Sequence, residues 1–342
     1  MNIYKILKIF TKFKSRRLKL FGLWVMHIMH RRYIGVFLDP VLGCNLRCRM
    51  CYMSDPSKEK RELGGEGRLT DETLNYIAST FFPYALKLQI GCATEPTLYK
   101  GLVKIIEKAR QKGVPYISMT TNGQLLSEET LRKLVDAGLN EVTLSVHGLQ
   151  KDVYENMMKG AKFERFQNLI QILKRTKKDY PGFKIRINYV MNHDNVNSLR
   201  SLYAVLDGLK VDVLQLRPIQ KLGESDYKDF SLDTIRASYD EVLVPIINQC
   251  KADGTVCLCP TKENLDSLEE SFDPLVDYLE ELTYYYMTEK GCNKPQLEWK
   301  RDTFKEYHNK KGTEKDIRNS ILHWKKKADT LHSTRKLNYS VN

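Results

Sequence analysis

The sequence predicts an α/β fold, a partial (β/α)6 barrel of the TIM type, on three observations. Six short apolar runs of strand length alternate with stretches of helical period between residues 33 and 223. Glycines stand where helices should stop before the next strand, as at Gly113 and Gly138. The strand ends run into polar, chemistry-bearing residues, as in parallel sheets whose ligands bind beyond the carboxyl edge. Six units fall short of the eight that close a barrel.

Taken in order, the first segment is residues 1–32. It contains no Asp or Glu; the first acid is Asp39. Ile3, Ile6, Leu7, Phe10 and Phe13 recur at helical spacing, with Lys5, Lys8 and Lys12 on another face. Such a basic amphipathic helix suits an anionic membrane surface, or packs its apolar face on the rest of the protein. No small-residue cleavage site follows it, and Leu20 to Met29 is too short to span a bilayer.

The second segment is residues 33–223. The expected strands are Val36–Val41, Leu86–Ile90, Tyr116–Met119, Glu141–Val146, Lys184–Val190 and Val213–Leu216. Helices are expected at Asp71–Phe82, Leu98–Lys112, Ser127–Ala137, Glu164–Lys178 and Val196–Leu209, with Ser127 capping the third. Right-handed crossovers then make the sheet parallel. Asp55 to Leu69 reads as an exposed loop. The third segment, 224–342, reads as a mainly helical extension with Leu232–Asn248 its clearest run, ending in a basic polar tail from Trp299.

With 342 residues, 42% of them hydrophobic, the chain buries one sizeable core or two modest ones. Its 55 Lys and Arg exceed 42 Asp and Glu, a net charge of +13 that points to an anionic partner: nucleic acid, acidic lipid or a phosphorylated substrate. Eight cysteines in so long a chain are not a secreted disulfide framework; metal binding in a reducing cytoplasm is the expectation.

Cys44, Cys48 and Cys51 place three thiols within eight residues, in the order Cys-x3-Cys-x2-Cys. Iron–sulfur cubes normally take four cysteine ligands. Three leave one iron open, as a catalytic centre requires. Structural zinc also wants four ligands, and no fourth Cys or His lies close by. Arg47 and Arg49 between the thiols are expected to offset the cluster's charge and favour thiolate.

This loop resembles that of the radical S-adenosylmethionine (SAM) enzymes, whose signature is this spacing after a first strand. The resemblance implies a [4Fe-4S] cluster on Cys44, Cys48 and Cys51 with SAM on its fourth iron. It implies an electron donor and a partial (β/α)6 barrel over roughly Tyr33 to Gly223. It also implies one-electron cleavage of SAM to methionine and a 5′-deoxyadenosyl radical, which abstracts a substrate hydrogen. The position before the last cysteine is usually aromatic and near the adenine; here it is Met50, and Tyr52 is the nearby ring. Ala93-Thr94-Glu95-Pro96 resembles the family's Gly-Gly-Glu-Pro motif, which holds the SAM amine through carbonyls and the Glu. Ser145 in Ser-Val-His-Gly resembles its fourth-strand Ser.

The strand-end rule adds Asn122 after the third strand, as SAM contact or turn residue, and Arg217 after the sixth, as partner of the SAM carboxylate or of a structural acid. His147, His193, Cys92 and Tyr52 are candidates for substrate chemistry, Cys92 as a hydrogen-atom donor. Cys250, Cys257, Cys259 and Cys292 are either buried free thiols or ligands of a second cluster. The substrate is not written in the sequence. A saccharide or lipid-linked molecule near a membrane, a peptide and RNA are the contenders. A non-catalytic iron–sulfur or zinc protein binding nucleic acid is the alternative class, though no nucleic-acid module is recognisable.

Overall fold

The computed structural model describes residues 15–51, 67–220, 225–227, 229–266 and 273–331. The expected amphipathic run at Ile3–Phe13 and the body of the Asp55–Leu69 loop lie outside them.

The six expected strands are present: β1 (Ile34–Leu38), β3 (Ala85–Ile90), β4 (Tyr116–Thr121), β5 (Glu141–Ser145), β7 (Lys184–Met191) and β8 (Val213–Pro218). Five more join them: β2 (Arg47–Cys48), β6 (Met158–Lys159), β9 (Val256–Leu258), β10 (Tyr284–Thr288) and β11 (Gly291–Cys292). The main sheet has nine strands in the order β11-β10-β1-β3-β4-β5-β7-β8-β9, and all neighbours are parallel except β10 and β11. Parallel β9 and β10 thus flank the six on either side, both supplied by the segment after residue 223. A two-stranded ribbon pairs β2 with β6.

Alternation within each strand sorts its side chains. Leu88, Ile90, Ile117, Met119, Val142, Leu144, Ile185, Ile187, Leu214 and Leu216 join the core packed under the helices. The opposite face carries Lys87, Gln89, Thr120, Glu141, Arg186, Asn188, Gln215 and Arg217. A closed TIM barrel fills that interior with bulky branched residues; here it is polar.

Helix limits follow local chemistry. Ser127 caps Glu128–Ala137 by accepting from Thr130 N–H, and Gly138 ends it in the left-handed region. The helix expected from Leu98 starts at Leu102, because Pro96–Leu98 forms a 3-10 turn first. The one expected over Val196–Leu209 is a 3-10 turn, Val196–Ser201, followed by a short α-helix, Leu202–Leu206. Strand β1 ends before Asp39-Pro40, since Pro40 has no N–H to give the ladder. Near the N-terminus, helix Arg16–Ile28 buries Leu20 and Leu23 and packs against helix Thr313–Leu322.

Candidate active site

The Cys-x3-Cys-x2-Cys loop leaves β1 and is pinned at several points. Glu95 N–H donates to Gly43 C=O at 2.9 Å, joining it to the loop after β3. Arg47 Nη1 donates to the carbonyls of Cys44 (2.9 Å) and Leu46 (3.0 Å). The β2–β6 ribbon holds Cys48 opposite Met158. Met50 is buried in the core.

The three thiols are half-buried and reduced. Burial pushes the Cys44 thiol up to about 11, with the Glu95 and Cys51 charges adding to it and the Leu46 N–H opposing it. Cys48 is pushed up by burial and then by both other thiols. The thiols therefore feel one another's charge, so a cation that draws off their protons gains three mutually repelling anions as ligands. Among the described residues, no three His, Cys, Asp or Glu side chains are set to hold a single metal ion.

Arg49 does not play the part expected of it. Its guanidinium bonds Asp194 and Asp226 at 3.0 Å each and lies over the Tyr227 ring. Those carboxylates take up its charge, so it fastens the loop to the far side of the barrel instead of offsetting a cluster.

Glu95 is the hub. Its carboxylate accepts from Thr97 N–H (3.1 Å), Thr97 Oγ1 (2.6 Å), Thr121 Oγ1 (2.7 Å) and Asn122 N–H (2.8 Å). Burial raises its pKa, and these donors oppose the rise. A buried carboxylate in that balance gains from a cation placed against it. Asn122 continues the chain of contacts: its Nδ2 donates to Asn45 Oδ1 at 2.9 Å and sits 3.9 Å from Cys44 Sγ. The motif glutamate, the β4 end and the cysteine loop are thus one hydrogen-bonded unit.

A second hub escaped the sequence reading. Asp39, fully buried at the end of β1, accepts from Cys92 N–H (2.6 Å), Ala93 N–H (3.0 Å) and Tyr286 Oη (2.7 Å). It orients the turn that carries Ala93 and Thr94, and ties it to β10. The signal was available: a lone acid directly after the first apolar strand. Gly91 starts this turn at φ +76°, where an added Cβ would lie 2.5 Å from Thr120 O; only glycine fits.

The remaining candidates separate. Cys92 is open to solvent yet enclosed by protein atoms, and burial together with the Asp39 charge pushes its thiol well up. Ser145 and Asn188 are register partners on β5 and β7, and Arg217 stands two residues beyond Gln215 on β8. His147 is buried; its Nδ1 accepts from Val190 N–H at 3.2 Å, and burial lowers its pKa to about 4. That is the setting of a neutral imidazole tying β5 to β7, not of a proton carrier at neutral pH. His193 is half exposed beside Asp194. Tyr52 lies outside the described residues. Cys250, beside Cys257, lines an outer cavity of about 340 Å³ with Leu202 and Leu214, away from the strand ends.

Two side chains test the fit of SAM. Thr94 Oγ1 and Asn188 Oδ1 are buried with no hydrogen-bond partner. Such atoms cost about 1–3 kcal/mol each when left unmade. They stand in the loop after β3 and on β7, where a ligand bearing an ammonium, ribose hydroxyls and an adenine amine would satisfy them.

Comparison with known proteins agrees. The sequence model of the radical SAM superfamily matches residues 39–204. The chain is 26% identical over 221 residues to a probable GTP 3′,8-cyclase of Sulfolobus acidocaldarius, covering 63% of this chain and 67% of that protein. It is 31% identical over 190 residues to the corresponding protein of Methanocaldococcus jannaschii, covering 55% and 60%. The chain spans about two thirds or less of the length of these curated relatives. Among solved structures, SuiB of Streptococcus suis bound to S-adenosylmethionine superposes with a TM-score of 0.58 at 15% identity, over 83% of this chain and 69% of that one. Likeness at that identity speaks for the fold alone.

Proposed function

The chain belongs to the radical SAM superfamily, and from that premise we propose that it is an enzyme binding a [4Fe-4S] cluster through Cys44, Cys48 and Cys51 and SAM across the carboxyl ends of β3 to β8. When bound, the cluster supplies the electron that splits SAM into methionine and a 5′-deoxyadenosyl radical for hydrogen abstraction. The protein's part is placement.

The observation that carries this reading is the single hydrogen-bonded unit of Glu95, Thr121, Asn122, Asn45 and the cysteine loop. It fixes a buried carboxylate beside the thiols, where a SAM ammonium needs one. The Ala93 and Thr94 backbone, held in place through Asp39, supplies carbonyls for the same ammonium. In this reading Ser145 and Asn188 serve the ribose or carboxylate, and Arg217 the carboxylate. Met50 and Tyr52 remain proposed neighbours of the adenine, and Cys92 the proposed hydrogen donor.

Iron and sulfide analysis with SAM calorimetry tests the reading. Anaerobically reconstituted protein should carry about four irons and four sulfides on the three cysteines and bind SAM. Stoichiometric zinc in place of iron would refute it.

The relatives' names raise GTP as a substrate; the saccharide, lipid-linked, peptide and RNA readings stand beside it, and no residue described above chooses among them. Peripheral membrane contact has one observation in its favour. Leu18, Phe21 and Leu322 are exposed, and Arg16, Arg17, Lys325 and Lys326 surround the groove between their helices. Among the described residues no helix is long and apolar enough to cross a membrane. Vesicles containing anionic lipid should bind the full chain at low salt and release it as salt rises; equal binding to neutral vesicles would count against this.

A further inference from the structure

The concave face of the sheet is built for charge. Lys87 on β3 is half-buried on this face, its Nζ donating to Gln89 Oε1 at 3.0 Å, and Gln89 Nε2 in turn donates to Thr120 Oγ1 at 3.0 Å. Among the described residues Lys87 has no carboxylate at ion-pair distance. Its partner is a neutral carboxamide. Burial pulls its pKa down; Glu141 opposes this and Arg186 adds to it.

Glu141, the carboxylate whose charge Lys87 feels, is already engaged. Glu141 accepts from Tyr116 Oη at 2.7 Å and lies 3.4 Å from Arg186 Nε. Arg186 also reaches Gln215 on β8, at 3.4 Å. Among the described residues Lys87 and Arg186 thus both feel the charge of Glu141. Ser118, between Tyr116 and Thr120 on β4, is buried with its Oγ lacking any partner. An isolated ammonium buried beside neutral dipoles is costly, and folds keep such groups paired. Among the described residues no carboxylate pairs with it at ion-pair distance. Phe37 and Tyr284, their rings 4.4 Å apart and tilted by 37° across β1 and β10, leave the opposite wall aromatic.

We propose that this interior binds a small anionic substrate, its phosphate or carboxylate held by Lys87 and hydrogen-bonded by Ser118, with Arg186 adding charge from β7. The site faces the region assigned to SAM, so the proposal rests on that reading and deepens it by naming the substrate class. The anionic group sits at the level of Lys87, below the strand ends, so the reacting carbon lies between it and the SAM site.

The test uses full-length, cluster-loaded protein in about 0.15 M salt, which screens the basic surface. Inorganic pyrophosphate and, separately, succinate are titrated into wild type, Lys87→Met, Lys87→Arg and the surface control Lys133→Met. One of the two anions should bind wild type and Lys133→Met alike, and its identity tells phosphate from carboxylate. Lys87→Met should weaken it about tenfold or more, Lys87→Arg far less, the size expected for a charge-assisted contact. SAM affinity should be kept throughout, and the melting temperature of Lys87→Met should rise, because a half-buried cation has been removed. Lys87→Gln is read in parallel in case Lys87→Met fails to fold. Retained SAM binding, with either no anion bound by wild type or the same affinity in Lys87→Met, would overturn the substrate class while leaving the cofactor reading intact. Loss of SAM binding in wild type would instead overturn the reading on which it rests.

Discussion

The two halves of the strand-end surface are built differently. On the β1–β4 side nearly every polar group has its partner before any ligand arrives: Asp39 takes three donors, Glu95 four, and Asn122 locks onto the cysteine loop. At the strand ends Thr94 Oγ1 is an exception, and deeper on β4 so is Ser118 Oγ. On the β5–β8 side Asn188 Oδ1 is buried and unsatisfied, and Arg186 on β7 shares Glu141 with Tyr116. The first half is pre-organised, as a site that must position a cluster requires. The second stores free energy that a ligand releases. Substitutions among the paired groups at the strand ends of the first side should therefore damage both protein and site, and substitutions of unsatisfied groups such as Asn188 should harm ligand binding while sparing or raising stability.

The largest effect tests the first side. Cys44→Ala, Cys48→Ala and Cys51→Ala should each abolish cluster loading, read by iron and sulfide content and by the loss of the brown chromophore. A variant that keeps a full cluster would remove that thiol from the ligand set. Next comes Glu95→Gln. It removes the charge and turns an NH2 toward either the Asn122 N–H or the Thr donors, so SAM affinity should fall by about 1.5–3 kcal/mol, measured by calorimetry, with iron content unchanged. Unaltered affinity would return Glu95 to a purely structural role.

Acid sensitivity gives an intermediate effect. Burial lowers His147 to about 4 and His308 to about 3 from 6.5. Both are neutral in the folded chain. The unfolded chain takes up protons first as pH falls below 6.5, so their contribution is full above 6.5 and is lost down to about 4. The slope is about 1.4 kcal/mol per pH unit for each. His308 is held between Tyr285 Oη and Thr313 Oγ1. His308→Gln should flatten denaturant midpoints between pH 6.5 and 4; an unchanged slope would contradict its burial as a neutral group.

The smallest effect has the opposite sign and sharpens the contrast most. Asn188→Leu removes an unsatisfied carbonyl and should stabilise the ligand-free protein by about 1 kcal/mol, while weakening SAM. A clear loss of stability would mean that the second side is as pre-organised as the first.

Much of this was legible in the chain. The six strands and their helices showed because apolar runs of fixed period carry them, and the thiol spacing showed because it is local. Tyr284–Thr288 was missed as a strand: helix Pro274–Thr283 runs into it with no turn residue between. Asp39 and Tyr286 were missed because they meet across 247 positions, a contact no local pattern records. Arg49 was misassigned for the same reason, its acids lying 145 and 177 residues away. Lys87 looked like any strand lysine until the sheet closed around it.

Product analysis by mass spectrometry tests the account most directly. Reconstituted protein, chemically reduced under anaerobic conditions and given SAM alone, should release 5′-deoxyadenosine and methionine slowly, and Cys48→Ala should release none. Fully loaded protein that yields no 5′-deoxyadenosine with several reductants, and binds no SAM, would contradict the account and leave a non-catalytic iron–sulfur protein.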